Sequence, residues 1–138
     1  MSLFFVVPGE PVGKARPRFT RKGHAYTPKK TSDYEATVRN AFRVAFPGHE
    51  PYAGPLAMEV FAYFSVPKSA PAKKREAMLT GATLPTKRPD GSNVLKGIED
   101  ALNGIAYDDD SQIVDDSIQK RYGSEPRVEV SITTVEVK

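Results

Sequence analysis

Asp90-Gly91-Ser92-Asn93-Val94-Leu95-Lys96-Gly97-Ile98-Glu99-Asp100-Ala101-Leu102-Asn103-Gly104 is the stretch whose pattern decides the fold. Ser92 suits an N-cap, so the spacing predicts a helix from Asn93 to Asn103 that Gly104 closes. At 100° per residue, Val94, Leu95, Ile98, Ala101, Leu102 and Ile105 share one side, and Asn93, Lys96 and Asp100 fall on the other. Such a helix packs its apolar side on a sheet. Two alternating segments downstream, Gln112–Tyr122 and Arg127–Val137, provide strands for it, and Gly123-Ser124-Glu125-Pro126 between them reads as a hairpin turn.

Working outward, Leu3–Val7 is a short apolar run ended by Pro8-Gly9 and reads as a buried strand. Pro11 to Pro28 has no period and reads as an exposed loop. Thr31 or Ser32 is positioned to cap a helix starting near Asp33, with Val38, Ala41, Phe42 and Ala45 on one face and Pro47-Gly48 as its stop. Leu56–Val66 alternates and predicts a long strand with one wet face. Ala72 to Leu79 reads as a short basic helix, and Leu84 to Pro89 as extended chain. The order β, α, β, α, α, β, β predicts a single α+β domain over 1–138: a small mixed or antiparallel sheet flanked by helices.

At 138 residues there is room for one modest core. The chain has no Cys, which excludes a disulfide framework, a thiolate nucleophile and a Cys-based zinc site. His24 and His49 are the two histidines, both in loop-like surroundings, and are expected at the surface. Met1–Val7 lacks the basic flank and cleavage site of a signal peptide, and no run approaches the roughly 20 residues of a membrane span. A cytoplasmic protein with no membrane partner is expected.

Charge is strongly polarised along the chain. Gly97 to Gln119 holds seven carboxylates (Glu99, Asp100, Asp108, Asp109, Asp110, Asp115, Asp116) and neither Lys nor Arg. Pro11 to Ser32 holds seven cations (Lys14, Arg16, Arg18, Arg21, Lys22, Lys29, Lys30) and no acid. Clustered carboxylates repel unless solvated or neutralised by a cation. A basic loop beside such a cluster suits gripping, or cutting, a phosphate backbone. Asp90 before the helix, Lys96 on its open face and Asp108-Asp109-Asp110 after it are the candidate centre, provided the loop after Gly104 folds back. Asp100 is expected to pair with Lys96 four positions earlier. Asp115 and Asp116 are expected to point outward. No base-reading motif is visible, so recognition of shape and backbone is expected.

The wording of the acidic segment sharpens this. Lys87-Arg88-Pro89-Asp90-Gly91-Ser92-Asn93-Val94-Leu95-Lys96, then Asp100-Ala101-Leu102-Asn103-Gly104, then Tyr107-Asp108-Asp109-Asp110-Ser111-Gln112-Ile113-Val114, closely resembles the RusA family of Holliday junction resolvases. Gly13–Arg18 and Tyr26–Lys30 resemble it more loosely. The resemblance implies a homodimeric, Mg²⁺-dependent endonuclease, with Mn²⁺ a substitute, that nicks opposing strands of four-way DNA junctions symmetrically. Proteins of this kind are often encoded by phages or prophages. Asp90, Lys96 and Asp110 match the catalytic positions, with Asp90, Asp110 and Asp109 the expected metal ligands. Lys14, Arg16, Arg18, Arg21, Lys22, Lys29, Lys30, Lys87 and Arg88 are the expected DNA-binding cations. One position departs from the pattern: Ser92 stands where the family carries a second Asp. A neutral hydroxyl there leaves two outcomes, substitution by Asp108 or Asp109, or a junction-binding protein that no longer cuts. A small single-strand or RNA-binding domain is the third class considered.

Overall fold

A computed structural model describes residues 1–136, so Val137, the expected end of the last strand, lies outside the described residues. In chain order the elements are β1 (Ser2–Pro8), β2 (Arg18–Phe19), β3 (Ala25–Tyr26), α1 (Lys29–Ala45), β4 (Leu56–Ser65), α2 (Ala72–Leu79), α3 (Gly91–Ala101), a 3₁₀ turn (Asp110–Gln112), β5 (Ile113–Gly123) and β6 (Arg127–Thr134). This is the α+β fold expected from the sequence. The main sheet is mixed, in the order β1-β6-β4-β5, with β4 and β5 parallel and the other pairs antiparallel.

The period-2 patterns put the buried residues of the two pairings made by β6 in one layer. Phe5 faces Val130, Val7 faces Val128, and Met58, Val60 and Ala62 of β4 lie opposite Ile132, Val130 and Val128. Helices α1 and α3 cover this layer with Tyr34, Val38 and Phe42 and with Val94, Ile98 and Ala101. Phe42 meets Phe5 edge-on at 5.3 Å, a geometry that favours aromatic pairs beyond their buried area. The opposite face carries Glu59, Ser117 and Thr133, all exposed.

Three local expectations about the strands and loops are corrected. Leu3–Val7 is an edge strand rather than a buried one, with Phe4 56% and Val6 41% exposed on its outer side. The Pro11–Pro28 loop contains a small ribbon, β2 paired with β3. Gly123–Pro126 is not a hairpin turn: β4 lies between β5 and β6. The link therefore spans two strand spacings, about 10 Å. It is held at its end by Gly9 N–H donating to Pro126 C=O, and Arg127 stacks over Tyr63 of the intervening strand at 3.9 Å.

Both main helices also begin earlier than their Ser/Thr signals suggest. Pro28 takes the cap position of α1 with φ −55°. Thr31 is buried, and its Oγ1 accepts from Ala15 N–H. In α3, Asp90 takes the cap position without a side-chain capping bond, and its carbonyl accepts from Asn93 and Val94 N–H. Ser92 therefore lies in the first turn, the helix ends at Ala101, and Gly104 (φ 75°) turns the chain beyond it.

Ile98 is fully buried between α3 and the sheet. Truncating it leaves a cavity that the packed layer cannot refill, so Ile98→Ala is expected to lower unfolding free energy by about 2–5 kcal/mol. Urea unfolding followed by circular dichroism checks this; a change below about 1 kcal/mol would contradict the packing described.

Candidate active site

The acidic loop is held at the end of α3 by a chain of polar contacts, most of them at the surface, with Tyr107 as the buried member. Tyr107 is fully buried and its hydroxyl donates to Glu99 C=O at 2.6 Å. Gly104 N–H donates to Tyr107 C=O, which folds the chain back on the helix. Asn103 Oδ1 accepts from Asp110 N–H at 2.8 Å. Asp109 and Gln112 form a reciprocal capping box around the 3₁₀ turn: Asp109 Oδ2 accepts from Ser111 N–H, and Gln112 Oε1 accepts from Asp109 N–H. Gln112 Nε2 donates to the carbonyls of Tyr52 and Gly54. The hydrogen bond from Ser111 holds the Asp109 carboxyl below its usual pKa. Asp109 thus works as a capping residue.

The loop brings carboxylates together that the sequence reading had kept apart. Glu99 Oε2 is buried and meets no donor. Burial, a hydrogen bond with Asp116, and the charges of Asp116, Asp110 and Asp100 push the Glu99 carboxyl up from 4.5 to about 8. Two carboxylates in contact share a proton more easily than they both ionise. Asp116 falls in register with buried Met58, on the side of the sheet that α3 covers, yet it is exposed, as expected. Asp115 is exposed, one register step away, beside Glu59 on the open face.

At the other end of α3 a cleft of about 730 Å³ opens between the basic loop and the first turns of α1 and α3. Arg16, Arg18, Lys30, Arg88, Asp90 and Asn93 line it. The basic loop is pressed onto both helices. Gly13 lies so close to Pro89 that a Cβ would stand 2.7 Å from the proline Cβ. Lys14 N–H donates to Asn93 C=O at 2.9 Å. Lys14 Nζ lies 2.8 Å from Asp100 Oδ2 and 3.4 Å from Glu35 Oε2. Burial works to lower the Lys14 pKa, but Asp100 and Glu35 outweigh it and raise the ammonium above its usual value. Lys14, counted with the DNA-facing cations from sequence, is therefore turned inward.

Arg16, Arg18, Arg21, Lys22, Lys29, Lys30, Lys87 and Arg88 are all exposed. Lys96 is exposed on the open side of α3, and its Nζ stands 3.9 Å from Asp100 Oδ2, the pairing expected. His49 is half-buried between Phe42 and Tyr52 and bonded to Ala106 C=O, a packing role rather than a surface one. Asp90 and Asp110 stand at opposite ends of α3, whose 11 residues rise about 16 Å. Among the described residues no three acid or imidazole groups converge on a metal-sized point.

A family model described as endodeoxyribonuclease RusA matches residues 8–133. The chain belongs to the RusA family. A similar protein from Bacillus subtilis (strain 168), YqaN, described as uncharacterized, is 41% identical over 139 aligned positions, covering 95% of each chain. The match spans both the basic loop and the acidic segment, so both lie within one RusA-family unit. Among the described residues no helix is long and apolar enough to cross a membrane. In the RusA motif of this chain, Asn103, Asp109 and Gln112 build the loop that carries Asp110. The approach of Glu99 and Asp116 to each other was missed from sequence. The alternation of β5, with Asp116 two before Ile118, was the signal for Asp116; Glu99 left none, because its depth depends on the Tyr107 fold-back.

Glu99 has a carboxyl pKa raised from 4.5 to about 8 in the fold, so between those values the native state binds more protons than the unfolded chain. Its stability contribution is therefore present below about pH 4.5 and lost as pH rises through 8. Glu99→Gln is expected to remove that dependence, so the variant gains thermal stability over the natural protein at pH 8.5 but not at pH 5. Equal pH dependence in both proteins would contradict the buried protonated carboxyl.

Proposed function

We propose that this RusA-family protein is a Mg²⁺-dependent endonuclease that resolves four-way DNA junctions by paired, symmetric nicks, working as a two-fold dimer. The observation that carries the reading is the cleft: four exposed cations, Arg16, Arg18, Lys30 and Arg88, surround one carboxylate, Asp90, at the start of α3. Cations at that spacing hold a phosphate backbone, and a carboxylate among them is misplaced for binding alone, since it repels what they attract. Its use is to hold a cation. Paired cuts need two such centres, which a two-fold dimer provides.

The donor chemistry fits Mg²⁺, which takes hard oxygens and is commonly bound through one or two carboxylates plus a substrate phosphate. Asp90 and Asp110 are the proposed holders. Their separation along α3 is too large for one ion with its phosphate to span, so in this reading a second copy in the dimer completes the set. When bound, Mg²⁺ supplies Lewis acidity at the phosphate and a more acidic water. The chain's own residues do the rest. Arg16, Arg18, Lys30 and Arg88 fix the backbone, and Lys96 offers its ammonium to charge developing on the phosphate. Asp109 leaves the ligand set because its carboxylate caps the 3₁₀ turn.

A second reading, a protein that binds branched DNA without cutting it, is favoured by Ser92, which is exposed in the first turn of α3 and brings no charge. Variants separate the two. Asp90→Asn and Asp110→Asn are each expected to abolish nicking while leaving junction affinity equal or tighter, because a charge repelling phosphate is gone. Ser92→Asp is expected to lower the Mg²⁺ concentration for half-maximal nicking, and Mn²⁺ to raise the rate of the natural protein at limiting metal. Normal nicking by Asp110→Asn would refute its place in the metal set; absence of nicking by all proteins with either metal would favour the binding reading.

Junction affinity is expected to fall log-linearly with salt, with a slope of about −0.9 per phosphate neutralised. Replacing Arg16 and Arg18 together with Ala is expected to flatten that slope by about one to two contacts. An unchanged slope would remove the basic loop from the interface.

A further inference from the structure

Asp100 Oδ2 is approached by two ammonium groups at unequal distances. Lys14 Nζ is 2.8 Å away and Lys96 Nζ 3.9 Å. Lys14 and Asp100 are both mostly covered, with side chains 20% and 19% exposed, while Lys96 is 64% exposed. Coulomb attraction grows as the distance shrinks and as water is removed, so the inner contact dominates. Glu35 Oε2, 3.4 Å from the same Lys14 Nζ, anchors Lys14 to α1 as well. The basic loop, α1 and α3 therefore meet at one ammonium.

Lys96 and Asp100 are four residues apart on α3, a spacing at which the two side chains can pair. We infer that Lys14 is a positioning residue which occupies the Asp100 carboxylate and so leaves the Lys96 ammonium free to act on phosphate. Without Lys14, Asp100 turns to Lys96, and a cation meant for the reacting phosphate is spent on an internal carboxylate. Lys14 itself touches no DNA in this account, although it sits in the most basic segment of the chain. The inference rests on the role proposed above for Lys96.

The test compares single-turnover nicking, junction affinity and Lys96 reactivity in Lys14→Met, Lys14→Met/Asp100→Asn, Lys14→Arg and Lys96→Met. Lys14→Met is expected to slow nicking at saturating protein by about tenfold or more, since a transition-state charge contact is withdrawn. Its salt slope is expected to stay unchanged, whereas a phosphate-contacting lysine would take about 0.9 from it. The double variant is expected to recover most of the rate, because neutral Asn no longer captures Lys96. Lys14→Arg is expected to cut like the natural protein. A purely structural lysine gives no such rescue, since the double variant loses the tie between loop and α3 as well.

Lys96 acetylation by acetic anhydride, read by mass spectrometry, follows the same relay without requiring cleavage. It is expected to fall in Lys14→Met and return in the double variant. Should Lys14→Met fail to fold, Asp100→Asn decides: Lys96 acetylation is expected to match the natural protein, and a clear rise would show that Asp100 already holds Lys96. A dead Lys96→Met with an unrescued double variant overturns the relay alone. Normal nicking by Lys96→Met overturns the role of Lys96 and the relay with it.

Discussion

A half-buried lysine between two carboxylates is an expensive arrangement unless every charge is matched, because each ion gives up water that the partner must replace. Lys14 meets that condition with Asp100 and Glu35, and the rest of the site depends on it. The contact joins three segments distant in sequence: the basic loop, the middle of α1 and the second half of α3. Gly13 against Pro89 and the Lys14–Asn93 backbone bond extend the same seam to the start of α3. A loop with several like charges would otherwise spread away from the body by mutual repulsion. Pinned at this seam, it instead walls a cleft and aims Arg16 and Arg18 toward Asp90.

Helix α3 then carries charged and polar groups at both ends because its middle is committed to the core. Val94, Ile98 and Ala101 seat it on the sheet, Asp90 begins it, and Asn103 and Tyr107 hold the acidic loop against its far end. The loop pays for its closeness with crowded carboxylates, seen in the raised pKa of Glu99. A cation, or a proton at lower pH, relieves the crowding. Opposite charges are thus sorted to the two ends of one short helix, a layout suited to a polyanion approaching with its counterions.

Much of this was legible in the sequence, and the failures have physical causes. The α3 pattern and the β4 alternation are local, period-driven signals, and both elements stand where their apolar residues repeat. The hairpin between β5 and β6 failed because turn residues report that a chain reverses and carry no information on which strand slips between the two arms. Thr31 and Ser92 failed as caps because Pro28 and the backbone of Asp90 had already set the helix starts, leaving Thr31 to bind Ala15. Asp90, Lys96 and Asp110 were nominated through their motif, while Lys14 was grouped with its basic neighbours. Only tertiary contact separates an inward cation from an outward one. The contact between Glu99 and Asp116 went unseen for the same reason.

The most direct test of the account is incubation of the natural protein with a synthetic four-way junction, with and without Mg²⁺, each strand labelled in turn and read on a denaturing gel. The account expects Mg²⁺-dependent nicks at symmetric positions on opposing strands, with linear duplex of the same sequence left whole. A retarded complex without nicks, or equal cutting of junction and linear duplex, would contradict it.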